Sequence, residues 1–420
     1  MNTDRLIIEG GRRLGGRIRV QGAKNSVLPI MAATVMCRGE SRIDNVPALS
    51  DVETAISILR HLGAKVSREG STLLVDASCL SAWDIPDGLM REMRSSVFFL
   101  GAILAACGKC EMSYPGGCEL GPRPIDLHLA ALRELGADIV DEGGRLTASS
   151  ARMHAGNVHL AFPSVGATEN VMLAACAVPG LTRICNAARE PEIVNLQEFL
   201  RAAGARIRGA GTSVIEIDGG YPLHPAQVRV MPDRIVAATW LCAAAAAGGD
   251  LLVEEATEDT IATVCASLRR AGARLETERD GIRIRSEGRL RGGEVVRTQP
   301  YPGFPTDAQA ILMAAMCLSD GVTIFVENIF DSRFRHVSEL VRMGAHIRTE
   351  GRTAVVCGVG RLCGCEVCAC DLRAGAALVV AALAAEGKSS IFRLDHIDRG
   401  YENVVQLLTD AGASIRRIEA

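Results

Sequence analysis

The chain has 420 residues and a formal net charge of -3, too long for one comfortable hydrophobic core, so two domains are expected. With 48% apolar and 23% charged residues, its composition excludes a disordered or fibrous chain and suits a soluble globular enzyme. The 46 basic residues include lysine only at Lys24, Lys65, Lys109 and Lys388 and are scattered among acids without a long basic run, which argues against a nucleic-acid partner.

The first residues, MNTDRLIIEG, contain no apolar stretch of signal-peptide length. The most apolar window, Ile235 to Ala247, is too short to span a bilayer, and its alanines suit a packed helix. Fifteen cysteines in a chain of this length fit a reducing compartment with free thiols better than a disulfide scaffold. A cytoplasmic protein without membrane association is expected.

In chain order, two kinds of element alternate. An apolar helix followed by a break and a strand is predicted at NSVLPIMAATVMCRGESRIDNV, then an amphipathic helix, Gly-Ala and a strand at ETAISILRHLGAKV. The same pair recurs as RSSVFFLGAILAACGKCEMSY with PIDLHLAALRELGADI, and as ATENVMLAACAVPGLTRICNA with IVNLQEFLRAAGARI. It returns as RIVAATWLCAAAAAGGDLLVEEA with TIATVCASLRRAGARL, as DAQAILMAAMCLSDGVTIFVENI with RHVSELVRMGAHI, and as GAALVVAALAAEGKSSIFRLDHI with NVVQLLTDAGASI. The marker glycines, Gly63, Gly136, Gly204, Gly272, Gly344 and Gly412, lie 73, 68, 68, 72 and 68 residues apart. Each is expected to sit left-handed just past a helix end. Helices apolar on all sides belong inside a layer, so six units are expected to divide three and three, with buried helices and sheets outside them.

The starts of the apolar helices carry polar residues: Lys24-Asn25-Ser26, Arg94-Ser95-Ser96, Ser164 to Thr168, Asp233-Arg234, Thr306-Asp307 and Asp371-Leu372-Arg373. Ser, Thr, Asn and Asp there cap backbone N–H groups. A cation there opposes the helix dipole and either faces solvent or serves an anion site. Asp307 reads equally as a first-turn acid. One cysteine, Cys118, sits in YPGGCELGPRP, a stretch too rich in glycine and proline for a helix or regular strand. A thiol there is either structural or reactive, and Arg123 nearby favours reactivity. Five cysteines at 357, 363, 365, 368 and 370 suggest zinc, but no complementary pair stands elsewhere. Small apolar residues alternating along a strand are the expected explanation.

QGAKNSVLPIMAA, PGGCELGPRPIDLH, PSVGATEN, MPDRI, YPGFPTDAQA, SRFRHVSELVRMGA, DLRAGAALV and HIDRGYE together resemble the UDP-N-acetylglucosamine 1-carboxyvinyltransferase family, essentially end to end. The resemblance implies an α/β fold of two inside-out α/β domains, each of three repeated units with buried helices and outer sheets, similar to the enolpyruvyl transferase of the shikimate pathway. It implies a discontinuous domain of residues 1–22 and 232–420 and an inserted domain of residues 23–231, with substrates in a cleft that closes around them. The implied reaction moves the enolpyruvyl group of phosphoenolpyruvate to UDP-N-acetylglucosamine, the first committed step of peptidoglycan synthesis, with no metal or organic cofactor.

The resemblance also assigns roles. Cys118 is the proton donor or thiolate, and the family's sensitivity to fosfomycin implies covalent labelling there. Asp307 is the general base beside the sugar hydroxyl. Lys24, Arg123, Arg373 and Arg399 surround phosphoenolpyruvate, with Arg94 in the same charged region. Asn25 and Asp307 hold the sugar, with Ile329 and Arg333 nearby. Arg123, Pro124, Asp126, Leu127 and His128 form the uridine part, and Ser164, Val165 and Gly166 meet the diphosphate. Some relatives carry a lysine two residues before that serine, where this chain has Phe162. Two rivals are the relative acting on shikimate 3-phosphate, which places no cysteine in that loop, and a silent paralogue, for which every reactive residue being present offers no support.

Overall fold

The computed structural model describes residues 4–116 and 125–419. These fall into two compact units, one made of the chain up to Gln21 and from Pro232 onward, the other of the chain between Gly22 and Met231. Each has its own hydrophobic core, one centred on Trp240, Phe325 and Ile8, the other on Phe99, Phe199 and Leu28.

The first unit is closed by its N-terminal strands. Arg5–Glu9 lies between Lys388–Phe392 and Ser414–Ile418, antiparallel to both. Leu14–Arg19 pairs in parallel with Gly249–Glu254. The chain leaves this unit after Gln21 and returns at Pro232. Asp233 N–H donates to the Gln21 carbonyl at 2.9 Å, while in the second unit Ala23 N–H donates to the Met231 carbonyl at 2.7 Å.

Among the described residues there are six sheets, five of four strands and one of three. Beneath them lie the helices expected to be apolar all round. In the first unit these are Arg234–Ala247, Thr306–Met316 and Leu372–Ala384, each packed against the other two. In the second they are Lys24–Ala33, Phe99–Cys107 and Val165–Cys176, with Phe99–Cys107 touching both others. Their alanines and glycines let backbones approach closely. A Cβ on Gly101 would meet the Asn170 carbonyl at 2.3 Å. The strands alternate buried and open positions, as in Val322–Val326, because only one sheet face meets the helices. This is the inside-out α/β architecture, three repeats to a unit.

The six Gly-Ala pairs close the amphipathic helices identically. All six glycines have φ between 81 and 101°. Each glycine N–H bonds back to the carbonyl three residues earlier, and the following alanine N–H bonds to the carbonyl of a leucine five residues earlier: Leu59, Leu132, Leu200, Leu268, Leu340 and Leu408. That is the Schellman arrangement, which satisfies carbonyls the helix end leaves open. The six leucines are buried, as are the alanines except the half-buried Ala205, so the cap is also an apolar clasp and points the chain into its strand.

Gly344 would bring an added Cβ near nothing within 4 Å, whereas one on Gly63 would meet Ser81 Oγ at 2.7 Å and the Cys79 carbonyl at 2.8 Å. Gly344→Ala is therefore expected to cost about 1 kcal/mol, the left-handed penalty alone, and Gly63→Ala distinctly more. Chemical denaturation of the two variants measures this, and equal losses would contradict it.

Candidate active site

In the first unit the polar residues converge on one carboxylate. Asp307 is in the first turn of Thr306–Met316, but Pro305 holds the N-cap position and no side chain caps that helix. Its carboxylate is used laterally instead. Arg333 Nη2 donates to Oδ1 at 2.7 Å and Arg373 Nη2 to Oδ2 at 3.3 Å. The guanidinium side chains are only 3% and 5% exposed, while Asp307 retains 29%. Arg333 Nη2 also reaches the Thr306 carbonyl at 3.3 Å. Burial is the largest influence on Arg373 and opposes its charge, yet its acidic surroundings together, Asp307 first among them, outweigh it and the pKa is raised.

Neighbouring residues fix this arrangement. The N-cap Asp371 accepts the N–H groups of Arg373 and Ala374 at 2.9 and 3.0 Å, which sets the start of Leu372–Ala384 and the root of Arg373. Tyr401 OH accepts from Arg373 Nη1 at 3.4 Å and exchanges a hydrogen bond with Thr239 at 2.8 Å, its ring edge-on to Trp240. Burial raises the Tyr401 pKa, so it stays a neutral phenol. Glu327, itself buried, accepts the N–H groups of Ile329 and Phe330 at 2.8 and 3.1 Å and the Thr306 hydroxyl at 3.0 Å. It thereby ties the Ile329 turn to the helix that carries Asp307. Arg399 closes the short helix Asp395–Asp398 and is half-buried. Just beyond it, Gln21 donates to the Gly400 carbonyl at 3.1 Å and accepts Glu402 N–H at 2.9 Å.

In the second unit Lys24 opens Lys24–Ala33 with no side-chain cap. Its ammonium pairs with Asp51 at 3.1 Å, the side chains 11% and 4% exposed, and this offsets the unfavourable dipole at that end. Asn25 is half-buried and caps nothing, whereas the neighbouring Ser26 hydroxyl donates to Asn195 at 2.7 Å. Arg94 is half-buried at the start of the 3-10 turn Arg94–Phe98. Asp126, Leu127 and His128 form the first turn of Asp126–Glu134, exposed, half-buried and buried in that order. Ser164 caps Val165–Cys176 by accepting Ala167 N–H. Phe162, where some relatives carry lysine, is exposed, and its carbonyl accepts Ser164 N–H at 2.7 Å. Cys118, Arg123 and Pro124 lie outside the described residues.

Of the expected caps, Asp233, Asp371 and Ser164 cap their helices. The strand explanation for the cysteine run does not hold. Cys357 ends the strand Thr353–Cys357 and Cys368 ends Glu366–Cys368, while Cys363, Cys365 and Cys370 lie outside regular strands. Burial pushes Cys370 up to about 12. No group of three or more His, Cys, Asp or Glu among the described residues could hold a metal ion.

Glu169, Glu327, Gln21, Tyr401 and Asn170 were not singled out by sequence reasoning. Each is a polar residue inside a motif or repeat, and its burial and partners are visible only in three dimensions.

Residues 8–408 match the family described as EPSP synthase (3-phosphoshikimate 1-carboxyvinyltransferase). The enolpyruvyl transferase NikO from Streptomyces tendae superposes with a TM-score of 0.88 at 25% identity, covering 100% of both chains. EPSP synthase from Acinetobacter baumannii shares the fold, with a TM-score of 0.75 at 19% identity over 99% of this chain and 100% of its own. The architecture is therefore that of an enolpyruvyl transferase. In sequence, UDP-N-acetylglucosamine 1-carboxyvinyltransferase 2 of Caldanaerobacter subterraneus is 48% identical over 411 residues, 98% of this chain and 99% of its own. The Sorangium cellulosum UDP-N-acetylglucosamine 1-carboxyvinyltransferase is 46% identical over 417 residues, 99% of each. The chain belongs to the UDP-N-acetylglucosamine 1-carboxyvinyltransferase family. No helix among the described residues is long and apolar enough to cross a membrane.

Glu169, on the helix that Ser164 caps, is fully buried, and neither carboxylate oxygen has a hydrogen-bond partner among the described residues. Burial, then the nearby charges of Glu192 and Glu190, raises its pKa well above the usual value. The folded protein therefore keeps a proton that the unfolded chain releases above its ordinary carboxylate pKa. Stability should fall as pH rises from there toward the folded pKa, by up to about 1.4 kcal/mol per pH unit. Glu169→Gln should flatten that slope and be more stable than wild type at neutral pH. Denaturation midpoints measured from pH 5 to 8 test this, and identical slopes would contradict it.

Proposed function

We propose that the protein transfers the enolpyruvyl group of phosphoenolpyruvate to the 3'-hydroxyl of UDP-N-acetylglucosamine, releasing phosphate, by addition and then elimination through a tetrahedral ketal. Near-full-length kinship at 48% identity with a UDP-N-acetylglucosamine 1-carboxyvinyltransferase carries this reading. A carboxylate gripped by two buried guanidinium groups, yet still partly open, is consistent with it.

In the addition, the sugar oxygen bonds to the substituted carbon of phosphoenolpyruvate while Cys118 delivers a proton to the methylene carbon. The hydroxyl proton passes to Asp307. An ordinary carboxylate is a poor base for an alcohol, so its help comes as the oxygen bonds to carbon and its proton becomes acidic. Arg333 and Arg373 hold the carboxylate in one orientation, which lowers the cost of reaching that geometry. In the elimination the new methyl group returns a proton to the Cys118 thiolate, its C–H electron pair forms the double bond of the enol ether, and phosphate leaves with the electrons of its bond to the same carbon.

Phosphoenolpyruvate is a compact, multiply charged anion, and Lys24, Arg123, Arg373 and Arg399 supply the cations that offset its desolvation, arginine matching oxygens in pairs. Arg94 adds charge to the same region. Asn25 and Asp307 hold the sugar, with Ile329 and Arg333 beside them. Arg123, Pro124, Asp126, Leu127 and His128 take the uridine. Ser164, Val165 and Gly166 meet the diphosphate, as the N-terminus of a helix favours anions. The free state of the described cysteines supports a cytoplasmic location.

A coupled phosphate-release assay tests the reading. Phosphate should appear when phosphoenolpyruvate is offered with UDP-N-acetylglucosamine and not with shikimate 3-phosphate, and the reverse pattern would overturn it. Asp307→Ala should lower kcat by about 10²- to 10⁴-fold with a much smaller change in KM for the nucleotide sugar. Equal losses in both would make Asp307 mainly a binding residue.

A further inference from the structure

Asn170 lies on Val165–Cys176, fully buried, and joins three segments of the second unit. Its Oδ1 accepts Gly101 N–H at 2.7 Å, and its Nδ2 donates to the Val97 carbonyl at 3.0 Å. A backbone N–H can only donate and a carbonyl can only accept, so these two partners fix which end of the amide is oxygen and which is nitrogen. The fit is close, because Gly101 lacks the Cβ that would meet Asn170 Oδ1 at 2.9 Å.

Nδ2 also lies 2.8 Å from His128 Nδ1. An amide nitrogen offers only hydrogens, so Nδ1 is the acceptor in this contact and the imidazole proton belongs on Nε2. The ring lies against Gly166, in the first turn of the helix capped by Ser164, where an added Cβ would fall 2.7 Å from Cε1 and 3.1 Å from Nε2. The glycine thus makes room for the imidazole beside a helix N-terminus.

We infer that Asn170 is a positioning residue that selects the Nε2–H tautomer of His128, so that this nitrogen presents a donor to an oxygen of the nucleotide sugar. One amide therefore couples the 3-10 turn containing Arg94, the His128 helix and the Ser164 helix. The ligand half of the inference rests on the function proposed above; the tautomer half does not.

Long-range proton–nitrogen correlation spectra of the full-length protein carrying ¹⁵N-histidine read the tautomer directly, with His128 assigned from the signals lost in His128→Gln. The expected spectrum shows a proton-free Nδ1 and a protonated Nε2 on His128, and the opposite pattern would overturn the inference whether or not any variant folds. In Asn170→Asp the carboxylate demands a proton on Nδ1, so the Nδ1 signal should change to the protonated form. KM for UDP-N-acetylglucosamine should then rise about tenfold, the worth of one hydrogen bond, with kcat within about twofold. A switched Nδ1 with unchanged KM would overturn the positioning role, as would a fall in kcat alone. Absence of phosphate release by the wild type would sink the functional reading and the KM half with it, while the spectrum still decides the tautomer.

Discussion

Two buried guanidinium groups sharing one carboxylate is the constraint around which the first unit's polar residues are arranged. Arg333 and Arg373 are nearly without solvent, and a buried cation is costly unless it is paired. Asp307 supplies the charge, one oxygen to each arginine. That in turn requires three chain segments to arrive in register: the start of Thr306–Met316, the turn after Val322–Val326, and the start of Leu372–Ala384. Glu327, Asp371 and Tyr401 hold those segments in place through hydrogen bonds that carry no direct chemistry of their own.

The inside-out fold makes such convergence possible. Helices that are apolar all round must be covered by sheets, and a polar group in their middles needs a partner among its buried neighbours. Their first turns are different, because free backbone N–H groups there need partners. Polar residues therefore accumulate at helix starts in every repeat, some as caps, such as Asp233, Ser164 and Asp371, and some turned sideways into ion pairs, such as Lys24 and Asp307. The second unit shows the same principle with neutral groups, where Asn170, one turn into its helix, organises three segments around His128.

Much of this architecture is legible in the residues themselves. The Gly-Ala pairs announce six helix ends because only glycine occupies the left-handed position cheaply, and the leucine five residues before each alanine completes the same cap. The apolar helices are legible from composition alone. Asp307, Arg333 and Arg373 are each visible as unusual residues, but their meeting is not, since 26 and 66 residues separate the arginines from the carboxylate. Glu327, Asn170 and Tyr401 leave no periodic signal, because a buried polar residue is defined by what faces it. The cysteine run misled for a related reason: spacing of two suggests a strand, yet irregular backbone and an isolated bridge at Cys363 interrupt it.

A double-mutant cycle in turnover tests most directly whether Arg333 works by holding Asp307. Arg333→Met is expected to lower kcat clearly in the wild-type background and to change it little in the Asp307→Ala background, so that the two losses are far from additive. Full additivity of the two losses would show that Arg333 acts independently of the carboxylate, and would contradict the account.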